Sequence, residues 1–340
     1  MKASLIRPEA VYPQSLGLPQ GGALRLDVPR PRSRQPTLYL GPTSAHIACA
    51  SSESNHVRDL VLEQLQVALG GRYTPSRALG HGAMASVYLA RDLKHDRDVA
   101  IKALRFNVED PAAGERFLRE IHYLAQLQHP HILPLFDSGD ALGMPYYVTS
   151  YVDGQTLRAR IRSDAEPMPA HDIVRIATEI ADALDYAHAR NVLHRDIKPE
   201  NVLVHDNHAL VADFGIARAI QLAGEASLTD TGVAIGTPAY MSPEQLAADR
   251  QLNGRSDQYA LACVVYELFC GVPPFMGARG VVDNARKFMV LPDLMGVRRP
   301  DVALHIERAV RRALSSDPAD RFPSAGEFAA ALQRRSAPGI

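Results

Sequence analysis

The stretch Asn191–Val204, NVLHRDIKPENVLV, constrains this chain more than any other. His194, Arg195, Asp196, Lys198 and Asn201 stand between two apolar anchors, Val192-Leu193 and Val202-Leu203-Val204. Burying both anchors pins the loop at each end, so the fold must present those polar groups together. A polar loop held by a rigid scaffold is the usual setting of a functional site. A few residues on, Ala209-Leu210-Val211 reads as a strand that runs into Ala212-Asp213-Phe214-Gly215, where the glycine permits an unusual turn. Asn201 and Asp213 both offer hard oxygen donors of the kind Mg²⁺ takes when it shares its shell with phosphates.

A second constraint lies upstream. In Val99-Ala100-Ile101-Lys102, strand alternation puts Ala100, Lys102 and Leu104 on one face and Val99, Ile101 and Ala103 on the other. Taken alone, Lys102 is either a solvated edge residue or a buried cation in need of a partner. In the next helical segment the apolar stripe is Phe117, Ile121 and Leu124, and Glu120 falls within that stripe. A carboxylate placed there must be paired or costly. Lys102 and Glu120 are therefore expected to satisfy each other, with the ammonium turned toward a bound anion.

Around these clusters the chain divides by composition. Seven prolines between Pro8 and Pro42 mark residues 1–55 as a disordered leader. Val57, Leu60, Val61, Leu65, Ala68 and Leu69 recur at helical spacing before Gly70-Gly71. That spacing predicts a short helix within 56–71 that packs on the strands after it. Strands are expected around Tyr73–Leu79, Ser86–Ala90, Asp98–Leu104, Ile132–Phe136 and Tyr146–Thr149, with a helix over Ala112–Gln128. Beyond Thr156 helical patterns dominate, the clearest being the stripe Ile173, Ile176, Ala177, Ile180, Ala183, Leu184 and Ala187. A small strand-rich part thus precedes a larger helical one, and a cleft between two lobes is a natural ligand site.

Bulk properties exclude several classes. A formal net charge of −1 over 340 residues points neither to nucleic acid nor to an anionic membrane. The longest apolar run, Tyr259 to Cys270, is too short for a membrane span and carries Glu267, so it reads as a core helix. Cys49, Cys263 and Cys270 lack zinc or disulfide spacing and suit a reducing, cytoplasmic setting. The N-terminus lacks a signal-peptide pattern.

Taken in order, these motifs closely resemble the protein kinase catalytic domain, specifically bacterial serine/threonine kinases of eukaryotic type. Gly80-x-Gly82 with Val87, the VAIK lysine Lys102, Glu120, HRDIKPEN at 194–201, DFG at 213–215 and Ser242-Pro243-Glu244 occur in sequence, joined by His129-Pro130, Gly236-Thr237-x-x-Tyr240, Asp257 and Arg321. The resemblance implies an α+β bilobal kinase fold over 72–336. It places an antiparallel-sheet lobe at 72–149, a hinge at 150–153 and a mostly helical lobe at 154–336.

It also implies roles. Gly80, His81, Gly82, Ala83, Met84, Ala85 and Ser86 would form the loop over the ATP phosphates, with Leu79, Val87 and Ala100 lining the adenine pocket. Lys102, held by Glu120, would contact the α- and β-phosphates. Ser150 and Val152 would offer hinge hydrogen bonds, and Asp153 would reach the ribose. Asp196 would accept the hydroxyl proton with Lys198 beside the transferring phosphate, while Asn201 and Asp213 hold Mg²⁺, or Mn²⁺ in its place. Arg195 implies control by loop phosphorylation at Thr229 and Thr231, and Glu244, Asp257 and Arg321 would be structural. Implied partners are ATP, proteins bearing Ser or Thr, and a second copy of the chain for autophosphorylation.

The sequence departs from the pattern at Ala85 for a third glycine, Ser242 for alanine and Ala262 for glycine, none of which removes a catalytic group. Residues 277–300 fit the family poorly. The alternatives are a nucleotide-binding pseudokinase or scaffold, which would be expected to lack Lys102, Asp196 or Asp213, and a small-molecule phosphotransferase, which the 213–244 segment disfavours.

Overall fold

The strand alternation around Lys102 builds the centre of a five-stranded antiparallel sheet. In the computed structural model, which describes residues 60–82, 85–104, 111–163, 166–216, 238–249, 251–276 and 283–334, that sheet comprises β1 (Tyr73–His81), β2 (Ala85–Asp92), β3 (Arg97–Leu104), β4 (Leu135–Ala141) and β5 (Met144–Ser150). The strand order is β1-β2-β3-β5-β4. The expected leader, Ala83, Met84, Thr229, Thr231, Gly236 and Thr237 lie outside the described residues.

Each face of the sheet has its own cover. Val99, Ile101 and Ala103 bury against Leu65 and Leu69 of the helix α1 (residues 60–69), together with Tyr73, Tyr88 and Val148. Gln64 Nε2 fastens α1 to the far end of the sheet through the Ala141 carbonyl at 2.8 Å. On the opposite face, Leu104, Ala85 and Tyr147 join Phe117, Ile121 and Leu124 of α2 (Pro111–Leu124) in the larger core.

Two boundaries differ from the sequence reading. The helix α2 ends at Leu124, not Gln128. Ile132 belongs to an isolated parallel bridge with Val211, and Leu133 N–H donates to the Val211 carbonyl at 2.9 Å. The apolar pair before Pro134 is spent on the larger lobe, so β4 starts only at Leu135.

The larger lobe opens with β6 (Gln155–Thr156) and the short helix α3 (Leu157–Ser163). Two long buried helices then form its centre. α4 (Ala170–His188) buries the whole predicted stripe from Ile173 to Ala187. After the single turn α5 (Pro243–Leu246), which Ser242 caps by accepting the Gln245 N–H, comes α6 (Gly254–Cys270). It is buried on nearly every side, the condition in which a helix can be apolar all round. Asn253 caps its start through the Arg255 N–H, and Gly271 closes it at φ +74°, a left-handed conformation that glycine adopts without a Cβ penalty.

Between α4 and α6 in the chain come β7 (Val202–His205) and β8 (His208–Val211), which with β6 form a sheet in the order β6-β7-β8. The polar loop therefore leaves the end of α4 and enters β7, both ends buried. No helix among the described residues is long and apolar enough to cross a membrane.

Candidate active site

The loop 194–201 is fixed from below by one carboxylate. Asp257, 2% exposed on α6, accepts the His194 N–H at 2.8 Å and the Arg195 N–H at 2.7 Å, while His188 Nε2 lies 2.8 Å from its Oδ2. Burial alone would raise the Asp257 carboxyl, but His188 and the His194 contacts bring it below its ordinary value. Two adjacent amides on one carboxylate force a sharp backbone turn, and Arg195 sits at φ +69°.

Above that turn, Asp196 is gripped by its neighbours. Lys198 Nζ donates to Asp196 Oδ2 at 2.6 Å, and Asn201 Nδ2 donates to Oδ2 at 3.0 Å and to the Asp196 carbonyl at 2.8 Å. With its amide nitrogen turned to Asp196, Asn201 directs its amide oxygen elsewhere. Ala212 N–H donates to the Asn201 carbonyl at 2.9 Å, and fully buried His194 reaches the Ala212 carbonyl through Nε2 at 2.9 Å. Loop 194–201 and Asp213 are thus parts of one connected structure.

Asp213 adopts φ +64° and Gly215 the same value. The positive φ at Gly215 favours glycine, and a side chain there would also displace the Leu124 side chain of α2, whose Cδ2 it would meet at 2.7 Å. The Asp213 carboxylate pairs with Lys102 through Oδ2 and accepts the Tyr147 hydroxyl through Oδ1 at 2.6 Å. Burial would raise Asp213, yet the Lys102 ammonium and the Tyr147 hydroxyl hold it below the usual carboxylate value. Burial and the Asp213 charge push the Tyr147 phenol well up, which keeps it a neutral donor.

Among the described residues, the carboxylate that Lys102 meets is Asp213, where the sequence reading expected Glu120. Glu120 instead lines a cavity of about 230 Å³ with Asn191, Val192, Leu193, Arg195, Gly215 and Leu252. Asp213 already has one oxygen fixed by Tyr147, so it offers the ammonium a positioned acceptor. Alternation identified the face Lys102 occupies, and it is blind to which of two carboxylates closes the pair.

The other expected residues lie on the strands and at the lobe boundary. Gly80 pairs with Val87 and His81 with Ser86 across β1 and β2, and the Gly82 N–H donates to the Ala85 carbonyl at 2.8 Å. Ala85 is buried, pairs with Leu104, and is not among the residues at positive φ, so its methyl packs without strain where a glycine was expected. Leu79 is partly exposed, and Val87 and Ala100 are half-buried. Ser150 ends β5 and, with half-buried Val152 and exposed Asp153, leads out of the sheet. Glu244 and Arg321 form a two-pronged pair at 2.7 and 2.8 Å, with the Arg321 side chain wholly buried, the geometry that makes an arginine–carboxylate contact strong.

Sequence reasoning passed over other members of the site. Arg158 on α3 ties Glu200 of the loop at 2.8 Å to buried Glu267 at 2.6 Å, and Tyr240 Oη donates to Glu267 at 2.5 Å. Lys287, fully buried in α7 (Arg286–Met289), donates to the carbonyls of Pro238, Ala239 and Met241 at 2.6, 3.0 and 2.9 Å. The signal for Glu267 was its place in an apolar helix. Lys287 had none, since it falls in the stretch that matched no pattern.

As for a cation, Asp213 and Asn201 supply one carboxylate and one amide oxygen. Among the described residues no three His, Cys, Asp or Glu side chains gather where they could hold a metal. Two hard oxygen donors suit an ion such as Mg²⁺, which is commonly bound by one or two carboxylates plus waters and substrate phosphates.

Residues 73–330 match the protein kinase domain family. The chain is 39% identical over 272 residues to serine/threonine-protein kinase PknB of Mycobacterium leprae, covering 78% of this chain and 43% of that protein. It is 40% identical over 266 residues to the probable serine/threonine-protein kinase SCO3848 of Streptomyces coelicolor, covering 76% and 39% respectively. The chain therefore spans less than half the length of these relatives. In the solved structure of the Mycobacterium tuberculosis PknI kinase domain, 94% of that chain is covered by 76% of this one, at a TM-score of 0.61 and 36% identity. The match over residues 73–330, together with 39–40% identity to these relatives over about three quarters of the chain, shows that this chain belongs to the protein kinase domain family.

Proposed function

We propose that this chain transfers the γ-phosphate of ATP to serine and threonine hydroxyls of proteins. The observation that carries the reading is the linkage of Asp196, Asn201 and Asp213 through the Ala212–Asn201 and Asn201–Asp196 hydrogen bonds. That linkage holds Asp196, Asn201 and Asp213 in one structure with Lys102, which supports reading them as a base and two oxygen donors. Phosphoryl transfer asks the protein for position and charge stabilisation more than for covalent chemistry.

Asp196 accepts the proton of the attacking hydroxyl, its carboxylate oriented by Lys198 and Asn201. Lys198, already at that carboxylate, stabilises charge on the transferring group. Lys102 contacts the α- and β-phosphates. Backbone N–H groups of 80–85 cover the phosphates, Leu79, Val87 and Ala100 line the adenine site, and Ser150, Val152 and Asp153 hold the adenine and ribose. Asn201 and Asp213 would hold Mg²⁺, or Mn²⁺, which would supply positive charge to offset that of the nucleotide phosphates.

Lys198-Pro199-Glu200 and Thr237 favour serine and threonine over tyrosine as acceptor. Arg195 suits pairing with a phosphorylated Thr229 or Thr231, placed by a second copy of the chain. The cytoplasm, where ATP is found, is the proposed site of action. The test is incubation with Mg²⁺ and ATP followed by mass-spectrometric mapping. Phosphate is expected on serine and threonine, with Thr229 and Thr231 among the sites. A chain that gains none while still binding ATP would support the scaffold reading.

A further inference from the structure

One buried contact at the Asp213 carboxylate has no part in the reaction as described. Tyr147 on β5 stands directly opposite Lys102 on β3 and is 1% exposed. Its hydroxyl donates to Asp213 Oδ1 at 2.6 Å while Lys102 takes Oδ2. The Lys102 ammonium lies 5.8 Å from the centre of the Tyr147 ring. We propose that Tyr147 is a positioning residue for the divalent cation: it keeps Asp213 turned to the metal once Lys102 moves to the phosphates. The inference rests on the reading of Asp213 as a metal donor.

A carboxylate free to rotate offers either oxygen in many directions, and donors on separate oxygens set its plane. Of the two donors, Lys102 carries its charge on a flexible four-carbon stem, and in the proposed reaction it is needed at the α- and β-phosphates. Tyr147 cannot follow it. Its ring is held in β5, an inner strand of the sheet, and leaving Asp213 would bury a hydroxyl without a partner. The turn at Asp213 is itself set by φ +64°, so the direction of the carboxylate depends on the side chain alone. Once Lys102 leaves Oδ2, and with Oδ1 held by Tyr147, Oδ2 is the oxygen delivered to the metal. Hydrogen-bond donors behind a metal-binding side chain typically change metal affinity by about 10- to 100-fold when removed.

The test is a titration of the full chain, saturated with a non-hydrolysable ATP analogue, with Mn²⁺ followed by the paramagnetic resonance of the free ion. Wild type, Tyr147→Phe, Tyr147→Met and Asp213→Asn are compared, each with a thermal melt and with its analogue affinity measured in EDTA. Tyr147→Phe is expected to weaken Mn²⁺ binding about tenfold with analogue affinity in EDTA unchanged. Tyr147→Met, which also lacks the hydroxyl, should give the same shift, and Asp213→Asn a loss at least as large. Wild-type Mn²⁺ affinity in both Tyr147 variants, beside a loss in Asp213→Asn, would overturn the role of Tyr147 and leave the metal site standing. Wild-type affinity in Asp213→Asn would instead remove the metal site itself. A parallel loss of analogue affinity in EDTA in the Tyr147 variants would reduce Tyr147 to a packing role and also overturn the proposal.

Discussion

Asp257 takes no part in the chemistry, yet two consecutive backbone amides of the loop beside Asp196 depend on it. Its carboxyl is depressed in the folded chain, so as acid is added the unfolded state takes up its proton first. The stabilisation is complete above the ordinary carboxylate range near pH 4 and is lost as pH falls through the folded-state value. Asp257→Asn should lower stability by about 3–5 kcal/mol, as breaking a buried charged network does. It should also flatten the acid-side decline of the urea midpoint relative to wild type. An unchanged decline would mean that Asp257 is not the group responsible. The polar loop residues His194, Arg195, Asp196, Lys198 and Asn201 were legible in the sequence because they stand between apolar anchors. Tyr147 was not, because a tyrosine in a buried strand looks like any other aromatic core residue until its hydroxyl is located.

At the scale of elements, alternation in β3 and the stripe on α4 carried over to the fold, since one buried face is enough to set the phase of a strand or helix. Boundaries carried over less well: Ile132 and Leu133 were claimed by β8, a long-range pairing that local pattern does not record. The same limit applies to α7, whose buried Lys287 holds three carbonyls of 238–241. That segment is linked to the loop 194–201 through Tyr240, Glu267, Arg158 and Glu200. Lys287→Met leaves those carbonyls without their donor, and KM for a protein acceptor such as casein should rise several-fold while KM for ATP is unchanged. Equal changes in both would argue for a general loss of fold. The helix α1 gives a second check. A chain starting at residue 72 loses Leu65 and Leu69 from the sheet cover and should melt several degrees below one starting at residue 60. Coincident melts would show that α1 adds nothing to the small lobe.

For the whole molecule, the two covers of the five-stranded sheet explain the division of labour. One face is closed by α1 within the small lobe, and the other brings Lys102 and Tyr147 to Asp213 of the larger lobe. The candidate site is therefore assembled from both lobes, and Asp196, the proposed base, lies on the larger one. The most direct measurement compares wild type with Asp196→Asn in transfer of labelled γ-phosphate to casein, alongside ATP affinity. The account predicts transfer reduced by about 100-fold or more, with ATP affinity close to wild type. Equal transfer by the two chains would contradict it.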